Sequence, residues 1–181
     1  MKRLFLIFFC ALLLSGCDSS EIIDEALELR GAILQAEACS FTAVVTADYG
    51  DKIYTFTLAC VSDHNGNVTF TVKAPETIAG ITGQITESGG NLTFDDKILA
   101  IPMLTDDQII PISAPWILMR TLRGGYITSC SDARLTIDDS YADDALTLDI
   151  TLDAQKLPQL AEIYWKGRRI LTVEVENFRL S

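Results

Sequence analysis

The longest regular pattern in this chain is alternation. From Cys39 to Ala47, apolar and small polar residues alternate (CSFTAVVTA), and they do so again over KIYTFTLAC (52–60). Such a period of two predicts strands with one face buried. NVTFTVKA (67–74), GITGQITE (80–87) and NLTFDDKILAIP (91–102) continue it, broken by the turn compositions HNGN, PE and SGGN and by an Asp95-Asp96-Lys97 bend. After an interruption, YITSC (126–130), ARLTID (133–138), ALTLDITL (145–152), KLPQLAEIYW (156–165) and RRILTVEVENFRL (168–180) read as strands again. Short strands joined by tight turns predict an antiparallel meander of about ten strands, each pairing with the one before it.

Two segments follow a helical period instead. In 19–38, Ile22, Ala26, Leu29, Ile33 and Ala36 recur at helical spacing, and Ile23, Leu27 and Leu34 widen that stripe. Ser19 or Ser20 is placed to cap this helix, and Glu21, Asp24 and Glu25 suit its positive end. The second helix is predicted over 114–123, with Ser113 as its cap, Pro115 in its first turn and Gly124 past its end. Trp116, Ile117, Met119 and Leu122 give it an apolar face, and Arg120 and Arg123 lie away from that face. Two roles fit it: a plug filling a small core, or a lid over an apolar groove that takes acyl chains. The fold class is therefore α+β, an incomplete antiparallel barrel with an N-terminal helix and a short second helix.

The turn Asp48-Tyr49-Gly50-Asp51 bears on register. A two-residue loop at Tyr49-Gly50 sets Asp48 opposite Asp51, Phe41 opposite Leu58 and Cys39 opposite Cys60. A four-residue loop shifts the pairing but keeps both cysteines on one face. Cys39 and Cys60 then make either a bridge, if the compartment is oxidising, or two buried thiols used as small apolar residues.

Before all of this, Lys2 and Arg3 precede an unbroken apolar run, Leu4–Leu14, which ends in Leu14-Ser15-Gly16-Cys17. The run is too short to span a bilayer. The tetrapeptide resembles the lipobox of bacterial lipoproteins: an aliphatic residue, two small ones, then the cysteine that receives a diacylglyceryl thioether. The resemblance implies a signal peptide over 1–16, cleavage before a lipidated Cys17, a short tether over 17–20 and one domain over 21–181. Cys10 would leave with the signal. Attachment to a membrane, outside the cytoplasm, follows from the same resemblance. Asp18 resembles the residue that keeps enteric lipoproteins at the inner membrane.

Charge and chemistry narrow the function. With a formal charge of −11, the chain repels nucleic acid and anionic headgroups, so any membrane attachment comes from acyl chains. No nucleophile elbow, phosphate loop or HExxH occurs, and the single histidine, His64, sits in a turn. Cysteine spacing matches no zinc site. The acidic doublets Asp95-Asp96, Asp106-Asp107, Asp138-Asp139 and Asp143-Asp144 read as solvated strand corners. No enzyme, cofactor or metal is expected.

Helix, meander, short helix and meander together resemble the Lol lipoprotein-carrier superfamily, above all at FTVKAPETIAGITGQI (70–85) and LTLDITLDAQKLPQLAEIYWKGRRILTVEVENF (146–178). That family folds as an open barrel with helices in its mouth. Its carriers hold an arginine inside the cavity, a position assigned to none of Arg120, Arg123 and Arg134. The resemblance implies a lipoprotein that binds lipid or a lipidated partner in an apolar groove. The alternative is a solid scaffold or sensing module that meets a protein partner at the cell envelope.

Overall fold

A computed structural model describes residues 18–101, 104–105, 108–131, 133–142 and 145–181. Cys17, the segment 1–16 and the doublets Asp106-Asp107 and Asp143-Asp144 lie outside the described residues. Helix α1 spans Asp18–Gln35 and leads into β1, Ala38–Asp48. Then come β2 (Ile53–Asp63), β3 (Val68–Ala74), β4 (Thr82–Thr86), β5 (Gly89–Phe94), β6 (Lys97–Ile101), and a ribbon of β7 (Leu104–Thr105) and β8 (Gln108–Ile109). Helix α2 (Ala114–Gly124) interrupts the strands, which resume as β9 (Tyr126–Ser131), β10 (Arg134–Asp138), β11 (Leu146–Leu152), β12 (Pro158–Trp165) and β13 (Arg168–Leu180).

Eleven strands form one open antiparallel sheet, ordered β6-β5-β4-β3-β2-β1-β13-β12-β11-β10-β9. This is the expected incomplete barrel, and each half is a meander. One pairing departs from that rule. β1 and β13 join the halves, with Val45 opposite Val173 and Ala43 opposite Val175. Among the described residues, none of the helices is long and apolar enough to cross a membrane.

Alternation decides which face is buried. Cys39, Phe41, Ala43, Val45 and Ala47 of β1 all point into the core, with Leu58 and Cys60 of β2 and Leu171 and Val173 of β13. Both helices lie on this face, since Ala26, Leu29 and Ile33 of α1 and six of the eleven residues of α2 belong to the same buried cluster. Burying a side chain such as Leu or Ile contributes about 1.5–3 kcal/mol, so this one shared core accounts for the fold.

Several expectations need correction. Of the two β1–β2 loops left open, the four-residue one holds and the two-residue pairing falls: Asp48 stands opposite Ile53, so Phe41 faces Cys60 and Cys39 faces Ser62. The N–H of Tyr49 bonds the Lys52 carbonyl at 3.0 Å, and the Asp48 carboxylate accepts the Gly50 N–H at 2.8 Å, which favours the wider loop. Helix α1 begins at Asp18, so Ser19 and Ser20 lie within it and do not precede it. Ile23, Leu27 and Leu34 do not widen its buried stripe; each is about half exposed. Ser113 does not cap α2. A 3-10 turn, Pro111–Ser113, runs straight into the helix, and the Ser113 hydroxyl donates to the Ile110 carbonyl at 2.6 Å.

Candidate functional site

Helix α2 is the element from which a site can be built, because it occupies the core face where the expected apolar groove would lie. Leu118 and Met119 are 0% exposed, and Trp116, Ile117 and Leu122 are buried with them. The four residues singled out as a binding face, Trp116, Ile117, Met119 and Leu122, therefore come together, and they do so inside packed protein. Arg120 and Arg123 face outward as expected, while Arg134 sits apart on β10. Arg120 lies over the Trp116 ring, 5.3 Å from its centroid, with its Nη1 3.8 Å from an Asp139 carboxylate oxygen.

Arginines pin the helix at its other end. Arg30 of α1 donates Nε to the Leu122 carbonyl at 2.9 Å and Nη2 to the Gly125 carbonyl at 2.7 Å. Arg123 reaches back, donating to the carbonyls of Ile33 and His64. Burial lowers the pKa of Arg30, but a guanidinium keeps its charge well beyond neutral pH. Helical spacing alone does not predict this role for Arg30. A lone arginine within the run Ala26–Leu34 was the only signal.

Two small clefts flank the Trp116–Arg120 pair, and Glu87 borders both. One, of about 270 Å³, is lined by Ile109, Trp116, Ile117 and Leu146; the other, of about 290 Å³, is bordered by Asn65, Asn67 and Arg123. Both fall at or below the roughly 300–1,000 Å³ typical of ligand pockets. A larger open groove, about 860 Å³, lies on the opposite face of the sheet. Its floor is ranks of polar side chains in register: Thr71, Thr82 and Thr93 across β3, β4 and β5, ending at Ile98 of β6, and beside them Thr69, Gln84 and Asn91.

The remaining candidates separate. Cys39 and Cys60 are buried free thiols that share a face without standing opposite each other. Burial pushes the Cys60 thiol up to about 12 and raises that of Cys39, against which the nearby Arg123 acts. His64 lies in the β2–β3 turn, where the Asp63 carboxylate accepts from the N–H groups of Asn65 and Asn67 and from the Asn67 amide. Among the described residues no cluster of three histidine, cysteine, aspartate or glutamate side chains could hold a metal ion.

No family model matches this chain, and no curated protein matches it. Solved structures do. A putative outer membrane lipoprotein-sorting protein domain from Vibrio parahaemolyticus is 9% identical over 91% of this chain and 94% of its own, with a TM-score of 0.48. A LolA superfamily protein from Nitrosomonas europaea is 9% identical over 86% and 93%, with a TM-score of 0.45. A chain of the Clostridioides difficile complex of the CwlD amidase with the GerS lipoprotein is 15% identical over 86% and 93%, with a TM-score of 0.43. At such identities the likeness is one of fold and assigns no residue a role.

Proposed function

We propose that this chain is a non-enzymatic lipoprotein, held outside the cytoplasm by a lipid on Cys17, whose half-barrel is a solid scaffold that offers its surface to a protein partner at the cell envelope. The observation that carries this reading is the complete burial of Leu118 and Met119: the core face, where an acyl chain would rest, is filled by α2. A chain of charge −11 favours a basic partner.

A second reading, binding of lipid or a lipidated partner, draws on the cleft beside Trp116, whose apolar walls would admit a short acyl segment. One experiment separates the two. Leu118→Ala is compared with Leu148→Ala, a residue equally buried in β11, by urea denaturation and by titration with a fluorescent fatty acid. Close-packed positions lose about 2–5 kcal/mol on such truncation. The scaffold reading expects both variants to lose that much, with wild type binding no probe. If Leu118→Ala costs far less than Leu148→Ala, and Trp116→Ala abolishes probe binding that wild type shows, α2 is a lid and the lipid reading replaces the scaffold.

A further inference from the structure

Strand β6 ends the large sheet, and among the described residues no strand pairs with its outer side. The hairpin that forms it is tight. Asp95 and Asp96 take φ values of 50° and 59°, the mark of a two-residue type I′ turn. Phe94 and Lys97 close that turn as a hydrogen-bonded pair, which sets the phase of the ladder: Leu92 with Leu99 and Gly90 with Ile101 are bonded pairs too. The N–H and C=O groups of Ile98 and Ala100 therefore point away from β5, along the open edge.

Open edges are usually blunted by charge, proline, a bulge or a covering element. Here the one charge is Lys97, at the start of the strand. Ile98 is 74% exposed, Leu99 63%, and Phe94, on the neighbouring strand, 62%. Ile98 and Leu99 face opposite sides. Ile98 ends the polar rank of the groove, and Leu99 ends the rank of Gly83 and Leu92 on the core side. The far edge differs. β9 carries Thr128, Ser129, Cys130 and Ser131, and α1 packs nearby. A lipid surface or a helix could cover one side of β6 but could not bond its edge. An added strand covers both sides and bonds the edge as well.

We propose that β6 is a docking edge for an extended segment of a protein partner, which adds one strand to the sheet through the backbone of Ile98 and Ala100 and lays apolar side chains over Ile98 and Leu99. This deepens the scaffold reading and rests on it. Charge chooses the occupant. A second copy would bring another −11 and its own Asp95 and Asp96 to the contact, whereas an apolar segment flanked by lysine or arginine would be drawn to it.

The test uses the lipidated chain in detergent and a synthetic peptide of alternating valine and threonine with lysines at both ends. Binding is read by fluorescence polarisation, and the site by hydrogen exchange. The expected result is saturable binding, slowed exchange at the Ile98 and Ala100 amides, and at least tenfold weaker binding when alternate peptide nitrogens are methylated. Ala100→Pro removes only an outward N–H and should weaken binding as much; Ile98→Lys serves if that variant melts early. No binding, or equal binding of the methylated peptide, overturns the proposal. So does a concentration-dependent dimer that Ala100→Pro dissolves, which would make the occupant a second copy. Photo-crosslinking in intact envelopes distinguishes the two levels. If wild type and Ala100→Pro capture the same protein, the docking edge is wrong and the scaffold reading stands. If wild type takes up the fatty-acid probe and crosslinks to no protein, the scaffold reading itself falls.

Discussion

Arg30 and Arg123 exchange helix ends. Arg30, from the middle of α1, donates to the Leu122 carbonyl in the last turn of α2 and to Gly125 just beyond it, and Arg123 from that same turn donates to Ile33 near the end of α1. Each guanidinium meets carbonyls that a helix leaves without partners, at the end where its dipole is negative.

Arg30→Ala should therefore destabilise the domain by about 2 kcal/mol, since hydrogen bonds to charged groups contribute roughly 1.5–3 kcal/mol. Arg30→Lys should recover only part of the loss, because one ammonium lacks the fork that spans two carbonyls. Urea unfolding of the three proteins measures this. Equal stability of Arg30→Ala and wild type would mean that water caps α2 as well as arginine does.

The exit from α2 gives a second prediction. A Cβ on Gly125 would stand 2.6 Å from Ile137 Cγ2, 2.8 Å from the Thr121 carbonyl oxygen and 2.9 Å from that of Asp138, whereas one on Gly124 would meet nothing within 4 Å. Two of those three obstacles are backbone and cannot swing aside. Gly125→Ala should cost about 1–3 kcal/mol, the usual penalty of overpacking. Gly124→Ala should be neutral or stabilising by under about 1 kcal/mol, as alanine suits a helix better. Thermal melts of the pair check the contrast, and identical melting would rule out the close approach.

The thiols give a third, which is pH-dependent. Cys39 and Cys60 are 1% and 2% exposed, and burial raises both pKa values, that of Cys60 to about 12. Burial also raises Cys130, with Glu25 adding to it and Lys156 opposing, but that side chain is only half-buried. Since the thiolate is the reactive form, iodoacetamide at pH 8 should label Cys130 first and reach Cys39 and Cys60 only on unfolding. Mass spectrometry of the peptides reads the order. A Cys39–Cys60 bridge would leave both unlabelled even in denaturant without reductant. The raised pKa also has a stability consequence. Cys60 contributes fully below the unfolded value of about 8.5, and that contribution is lost as pH climbs towards about 12, so Cys60→Ala should flatten the alkaline fall in stability.

Much of this was legible in the residues. Alternation in Cys39–Ala47 assigns each side chain its face, because a strand has no other period. It does not choose between a two-residue and a four-residue loop, since moving a partner by two positions keeps every side chain on its face. Hence the pairing of Phe41 with Leu58 was as plausible as the true one with Cys60. Ile23, Leu27 and Leu34 show the opposite limit. Spacing puts them beside the buried stripe of α1, but how far the sheet reaches around a helix is a tertiary fact. Trp116, Ile117, Met119 and Leu122 were legible as an apolar face, whereas the burial of Leu118 beside them depended on how far the core reaches around α2, which leaves Arg120 and Gly124 exposed and Arg123 half-buried. Within NLTFDDKILAIP, which reads as a continuation of the alternating strands, the run Ile98-Leu99-Ala100-Ile101 does not alternate, and the strand reading gave no hint that Ile98 and Leu99 would stand exposed on opposite faces.

The seam between β1 and β13 sets the order in which the molecule can be made. Each half-sheet needs only neighbours in sequence and can begin to form by quick local closures. The seam joins residues more than a hundred positions apart, such as Val45 and Val173. During synthesis the first half must wait, with the outer edge of β1 unpaired, until the final strand emerges. For that interval the outer edge of β1 is open to wrong pairing, and the closing of the sheet is governed by the arrival of Arg168–Leu180.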